Sequence, residues 1–512
     1  MSKSRILLAG AALFVTLICW SLSSPINSHQ DEKFHLASIW CADGFEEDCE
    51  NRGFSENGVE TVLIKANLCT PANTEESKYK RLLIQRDLGD CKYEATENEP
   101  LETMSVSPNF FYETDTQIAA WIQPGHTPGI YYKALNFFDS RNKEQSVIQF
   151  RIVNSLLFVV LVTAFLLVSE QIIRSSALFG LFATLIPHGL FLVSGVTNSS
   201  WSYAGCSLSW AFLYALLNQP FRFNCKTGLT TLGWIASSGI VISSRYDATI
   251  LLFFTNLTVL NLHFCTSAKH RKTLLFITFI ALLITARLVW LSFPKIRSLA
   301  QAPNTPSLNL RDLLINFGTA IKLVFATSLR ILGLQSPGWS PLSASLIVFW
   351  FNLLFFAATI SLLLSAVKKI KSIFFFLNLI VLLGILLIQI SIRPDWTTPF
   401  YLIRTSWSGD LFSPRYFIPY FPFLFGILAV ISKNFTTVLS DLNFRNSLFT
   451  VLAFTQAITL YDISRTFREN PNWYWQNFPI GIDAVFLVGI TSFIIFLYLL
   501  LIAPMTDAKR KI

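Results

Sequence analysis

Ile6-Leu7-Leu8-Ala9-Gly10-Ala11-Ala12-Leu13-Phe14-Val15-Thr16-Leu17-Ile18-Cys19-Trp20-Ser21-Leu22, preceded by Lys3 and Arg5, is the stretch that decides how this chain is read. No charge interrupts it, and as a helix it is long enough to cross a hydrocarbon core of about 30 Å. Similar runs recur to the end of the chain. Of the 512 residues 52% are hydrophobic and 14% charged, where soluble domains carry about 25% charged residues. The mean hydropathy of +0.50 agrees. A soluble enzyme, a nucleic-acid-binding module and a disordered scaffold are excluded. The fold class is an all-α polytopic membrane protein.

Charge is distributed unevenly. Residues 23–150 carry a net −10, whereas the rest of the chain carries +19. The basic excess sits in short loops between apolar segments, which topology explains better than a nucleic-acid partner does. The run Ile6–Leu22 reads as an uncleaved signal anchor, since its apolar region is long and no Ala-x-Ala site follows; a cleaved signal peptide is the alternative. Either places residues 23–150 outside. Eleven further spans follow, near 148–168, 176–194, 203–218, 227–243, 248–266, 273–291, 344–366, 372–392, 415–432, 446–462 and 483–503. Both termini then face the cytoplasm. Arg174, Arg222 with Lys226, Lys269 to Lys272, Lys368 with Lys369 and Lys371, Lys433 with Arg445, and Lys509 to Lys511 all fall inside. Residues 313–334, interrupted by Lys322 and Arg330, read as an amphipathic or re-entrant helix on the outer face. The chain divides into a first transmembrane helix (1–22), an exported loop domain (23–147), helices two to seven (148–291), an outer-face loop with the amphipathic helix (292–343) and helices eight to twelve (344–512).

Cys41, Cys49, Cys69 and Cys91 all lie in the exported loop, where oxidation is permitted. Four cysteines allow three pairings. Closeness in sequence favours Cys41–Cys49 and Cys69–Cys91; metal binding is the alternative, without a C-x-x-C spacing to support it. Cys19, Cys206, Cys225 and Cys265 lie in or beside spans and read as free thiols.

Charged residues are nearly absent from the middle of the spans, and His188 and His263 read as packing residues. The polar residues that call for explanation gather at the outer ends. Asp31, Glu32 and His35 follow the first span, with Asp31 and His35 four residues apart on one helical face. As structure alone this is a capped juxtamembrane turn. The stretch His126-Thr127-Pro128-Gly129-Ile130-Tyr131-Tyr132 precedes Arg151-Ile152-Val153-Asn154. It is equally a Pro-Gly turn with interfacial tyrosines and a snorkelling arginine. Ser244-Arg245-Tyr246-Asp247 joins two spans. Arg393, Asp395, Arg404 and Asp410 lead to Arg415-Tyr416, then Pro419 and Pro422; Arg465 and Arg468 precede Trp473 and Trp475. Arginines outside oppose the positive-inside bias and suit a phosphate or anionic headgroup, which guanidinium binds bidentately.

Taken in order, these motifs resemble the bacterial family called domain of unknown function 2142. They include the DExxH start with its cysteines, Pro-Gly-x-Tyr-Tyr, Arg-x-x-Asn and Thr197-Asn198-Ser199-Ser200-Trp201. Arg-Tyr-Asp and Arg-Tyr-x-x-Pro-x-x-Pro complete the set. The stretch from Asp31 to Ala42 is most similar to actinobacterial members. The layout resembles the GT-C fold of lipid-linked-sugar glycosyltransferases, with departures at Gly129 and at Ser413-Pro414. The resemblance implies an inverting transferase on the extracytoplasmic face of the cytoplasmic membrane. Its donor is a polyprenyl-phosphate sugar, its acceptor an envelope glycan, and membrane lipids surround it. Asp31 or Glu32 takes the catalytic acid's position, with Asp31 as general base. His35, Tyr131, Tyr132, Asn198, Asp247 and Tyr416 contact substrate, and Arg151, Arg245 and Arg415 meet the phosphate. A divalent cation (magnesium, manganese or calcium) stays open. A flippase for lipid-linked sugars and a non-catalytic envelope-assembly protein are the alternatives.

Overall fold

The computed structural model describes residues 2–24, 29, 32–43, 49–54, 60–65, 83–87, 90–94, 111–114, 129–219, 224–266, 418–431, 441–468 and 481–504. The sequence segments 273–291, 313–334, 344–366 and 372–392, with Asp31, Cys69, Arg415 and Tyr416, lie outside these residues.

The first apolar run forms helix α1, Lys3–Ser23, with Ser2 capping its start. Helix α2, Glu32–Trp40, follows directly. Then come short strands: β1 Cys49–Phe54, β2 Glu60–Lys65, β3 Leu83–Asp87, β4 Asp90–Glu94 and β5 Phe111–Thr114. They correct the all-α expectation for the exported loop. β2 lies antiparallel between β1 and β5, with Ile64 opposite both Cys49 and Tyr112, while β3 and β4 form a hairpin. Val62 and Ile64 flank Leu63 in a run that suits a strand, but it is far too short to stand out against membrane spans. β1 bulges between Asn51 and Gly53.

Helices resume with α3, Ile130–Asn136, and α4, Lys143–Val168. The next span is α5, Gln171–Thr184, continued through a π turn at Leu185–Gly189 into the short α6, Leu190–Val193. Pro187 within that turn has no N–H to give the helical ladder, and the wider turn absorbs the defect. Helices α7 Asn198–Asn218, α8 Cys225–Ser244 and α9 Tyr246–Thr266 follow. Beyond residue 417 come α10 Phe421–Ile431, α11 Leu442–Arg468 and α12 Ile482–Leu497. Lys3–Ser23, Gln145–Val168 and Ile482–Ile502 are long and apolar enough to cross a membrane; Ala248–Leu260 and Ile418–Ile431 are shorter apolar helices.

Helix α1 packs against α4 and α12, α7 against α8 and α9, and α10 against α5. Lipid tails are as apolar as leucine, so helices associate through close packing and polar contacts rather than through hydrophobic contrast. At Gly180 on α5, any β-carbon would run into the Pro422 carbonyl and lie 2.8 Å from the Gly426 nitrogen. Polar pairs join other helices: Thr16 Oγ1 donates to Ser492 Oγ at 3.2 Å, and the Ser202 and Ser244 hydroxyls meet at 2.7 Å. The main core, with Trp20, Phe158, Phe165, Trp210, Phe212 and Phe423, fills the bundle. A second core lies at the end of α1 opposite Lys3 and Arg5. It holds Leu36, Ile39 and Trp40 of α2, Tyr131, Tyr132 and Leu135 of α3, Phe150 of α4, and Val196 and Trp201. This second core seats α2 and α3 on the bundle.

Among the described residues Cys19, Cys206 and Cys225 stand outside any disulfide. Cys41 is buried and disulfide-bonded.

Candidate functional site

Glu32 and Arg151 meet where α2 crosses the ends of α1 and α4, and neither is exposed to solvent. Arg151 Nε donates to Glu32 Oε1 at 3.0 Å, and Nη2 donates to Oε1 at 2.9 Å and to Oε2 at 2.8 Å. Nη1 donates to the carbonyls of Ser21 at 2.8 Å and Ser24 at 2.5 Å. All three guanidinium nitrogens thus donate within the protein. The backbone N–H of Val196 also donates to Glu32 Oε1, at 3.2 Å. In this arrangement the Arg151 fork donates to a carboxylate and to two carbonyls, and both Glu32 oxygens accept hydrogen bonds from within the protein.

Around this pair the turn at residues 194–197 is clamped from α4. Asn154 Nδ2 donates to the Gly195 carbonyl at 2.8 Å, and Trp201 Nε1 donates to Asn154 Oδ1 at 2.9 Å. Thr197 caps α7, accepting the Ser199 N–H at 3.3 Å. The same hydroxyl lies 3.3 Å from His35 Nε2, and His35 Nδ1 lies 3.1 Å from the Tyr132 hydroxyl. His35 therefore bridges α3 to the start of α7, one helical turn beyond Glu32. Tyr131 stands edge-on to Trp201 with ring centres 5.1 Å apart, and burial pushes its phenol pKa up. Asn198 is buried as the first residue of α7. Arg245, ending α8, is half-buried and donates from Nη1 to Ser199 Oγ at 2.9 Å. The structure thus brings Glu32, His35, Tyr131, Tyr132, Arg151, Asn198 and Arg245 to one end of the bundle. Asp31, Arg415, Tyr416 and the side chain of Asp247 lie outside the described residues. Among the described residues no group of three or more histidine, cysteine or acidic side chains could hold a metal.

His29 is a member that sequence reasoning passed over. It is buried, stacked on Phe191 with ring centres 3.9 Å apart, and among the described residues neither ring nitrogen has a hydrogen-bond partner. Gly195 makes room for it, since a β-carbon there would strike the imidazole. Burial first, and the Arg151 charge second, hold its pKa well below the usual histidine range. The only signal in the sequence is a histidine close to the DExxH start.

Two outcomes follow from this geometry. Glu32→Gln leaves the Arg151 guanidinium buried without a counter-charge, and breaking such a pair costs about 3–5 kcal/mol. Thermal unfolding in detergent should show a large loss for this variant and a smaller one for Glu32→Met combined with Arg151→Met; equal losses would show that the two residues are not coupled. For His29 the sign is set by its depressed pKa: the unfolded chain takes up a proton that the folded protein resists. Stability from this residue is therefore present above about pH 6.5 and is lost as the pH falls below it. The midpoint of His29→Gln should fall less between neutral and mildly acid pH than that of the wild type, and parallel profiles would contradict the assignment.

No curated protein and no solved structure matches this chain. Residues 13–424, which run from α1 into α10 and include every residue of the cluster, match the family described as "Predicted membrane protein (DUF2142)". The chain belongs to that family of membrane proteins, DUF2142.

Proposed function

We propose that this protein is an inverting glycosyltransferase of the cytoplasmic membrane, transferring a sugar from a polyprenyl-phosphate donor to an envelope glycan on the extracytoplasmic face. One observation carries the reading. Segments far apart in sequence, around residues 32–35, 131–132, 151–154, 195–201 and 245, close into one buried polar cluster at the end of α1 opposite Lys3 and Arg5. Glu32 and the stretch from Tyr131 to Arg151 are among the positions on which the GT-C resemblance rests. A rigid frame of this kind is what preorganised catalysis requires.

In this reading Asp31, which precedes the Glu32 anchor in the chain, takes the proton from an acceptor hydroxyl. The oxygen attacks the anomeric carbon, and the bond from that carbon to the lipid phosphate breaks. Arg245 and Arg415 stabilise the leaving phosphate, while Glu32, Arg151 and His35 are positioning residues. Twelve spans place the cluster outside, with Cys41–Cys49 and Cys69–Cys91 bridging the exported loop.

Transport of a lipid-linked sugar is the second reading, and two observations favour it. Among the described residues the fully buried Gln456 of α11 has neither amide atom hydrogen-bonded. α11 also packs against the π turn that interrupts the α5–α6 span. Polar groups and broken helices within the membrane are what a transport path uses.

Cysteines introduced by Lys371→Cys and Asp395→Cys should label from the cytoplasmic and the outer side respectively; labelling from one side sinks the topology. Asp31→Asn removes the base, which typically contributes 10²- to 10⁴-fold in rate. We expect the variant to accumulate normally yet fail to complement a deletion strain, with a polyprenyl-phosphate sugar building up in lipid extracts. If Asp31→Asn complements fully while Gln456→Leu does not, transport is the better reading.

A further inference from the structure

The segment from Ile130 to Arg141, at the mouth of α4, has two faces. Tyr131, Tyr132 and Leu135 of α3 turn inward to the second core. Ile130, Lys133 and Phe137 fall on the opposite face, at a spacing that puts them over one another on a helix. Ile130 is 61% exposed, Phe137 85% and Phe138 41%, and the two phenylalanines meet edge-on with ring centres 5.4 Å apart. Lys133 and Arg141 are exposed beside them, and neither makes an ion pair among the described residues. The nearby carboxylate of Asp139 does not neutralise them. It is half-buried and engaged by Lys143 at 2.8 Å and by the Ser146 hydroxyl.

What covers this face is set by what lies next to it. The apolar part of the span begins at Gln145, so residues 130–141 must sit at the boundary between lipid and water. Along α4 the exposed side chains are Gln145, Leu156, Val160 and Leu167, a stripe that runs up to the foot of this segment. Aromatic side chains favour that boundary, and cations beside them find phosphate there. These cations are the more notable because the segment 23–150 as a whole carries a net −10, and outer-face cations oppose the usual bias.

We infer that Ile130, Phe137 and Phe138 enter the outer leaflet, and that Lys133 and Arg141 bind the phosphate of an anionic phospholipid there. This surface is separate from the buried cluster and does not depend on the protein being an enzyme.

The test uses the full-length protein in detergent, with phosphatidylglycerol and phosphatidylcholine as probes and the thermal midpoint as readout. Phosphatidylglycerol should stabilise the wild type more than phosphatidylcholine, and inorganic phosphate should not reproduce the effect. Lys133→Gln with Arg141→Gln should abolish the difference between the lipids, while Phe137→Ser with Phe138→Ser should weaken the response to both. Equal stabilisation of the wild type by the two lipids overturns the proposal, as does a preference that survives in the double-glutamine variant. Stabilisation by inorganic phosphate alone would show a free-anion site instead. Should a double variant fail to fold, native mass spectrometry of the wild type and of Arg141→Gln decides: the wild type should retain more phosphatidylglycerol.

Discussion

The ion pair between Glu32 and Arg151, 119 residues apart in sequence, is the constraint on which the end of the bundle opposite Lys3 and Arg5 depends. Moving both charges out of water is costly, and their attraction offsets that cost only when the geometry is good and the remaining donors are satisfied. Both conditions are met. The carboxylate is gripped by two guanidinium nitrogens, and the third nitrogen closes on two carbonyls at the end of α1. Those carbonyls lie at the negative end of that helix's dipole, which favours a cation there. One side chain on α4 thereby joins α1 and α2, and the bond from Val196 adds the turn before α7.

From that brace the neighbouring polar groups take their places. Asn154, one turn beyond Arg151 on α4, reaches the Gly195 carbonyl and accepts from Trp201, so one helix face holds both the ion pair and the turn beside it. His35, one turn beyond Glu32 on α2, meets Tyr132 and Thr197 in the same way. Each helix uses the i to i+3 neighbourhood twice. The apolar residues between these contacts form a core of their own, distinct from the bundle's. The site therefore rests on a platform rather than in a flexible loop. Lys143 reinforces the platform's edge, pairing with Asp139 while its ammonium lies 5.7 Å from the centre of the Trp40 ring.

Much of this was legible in the chain. A run such as Ile6–Leu22 announces a span because crossing a membrane is a requirement on length and apolarity alone, both of which are local. The cluster's membership could be listed for a related reason: polar residues at span ends are conspicuous where most of the chain is apolar. Glu32, His35, Tyr131, Tyr132, Arg151 and Arg245 stand out on those grounds, and Asn198 through the family resemblance.

What each residue does was decided by the tertiary structure. Nothing near Arg151 in sequence says that a carboxylate on another helix lies beside it; the folded chain buries it against Glu32, and a buried charge must be matched by whatever lies within reach. His29 joined the cluster only because α6 supplied Phe191 and the next turn supplied Gly195. The strands between α2 and α3 escape the sequence for the same kind of reason: a six-residue strand such as Glu60–Lys65 is defined by its partners, here β1 and β5, and not by its own length. Length and charge are properties of a segment and can be read from it. Partnership and desolvation belong to pairs of segments, and only the folded chain brings the pairs together.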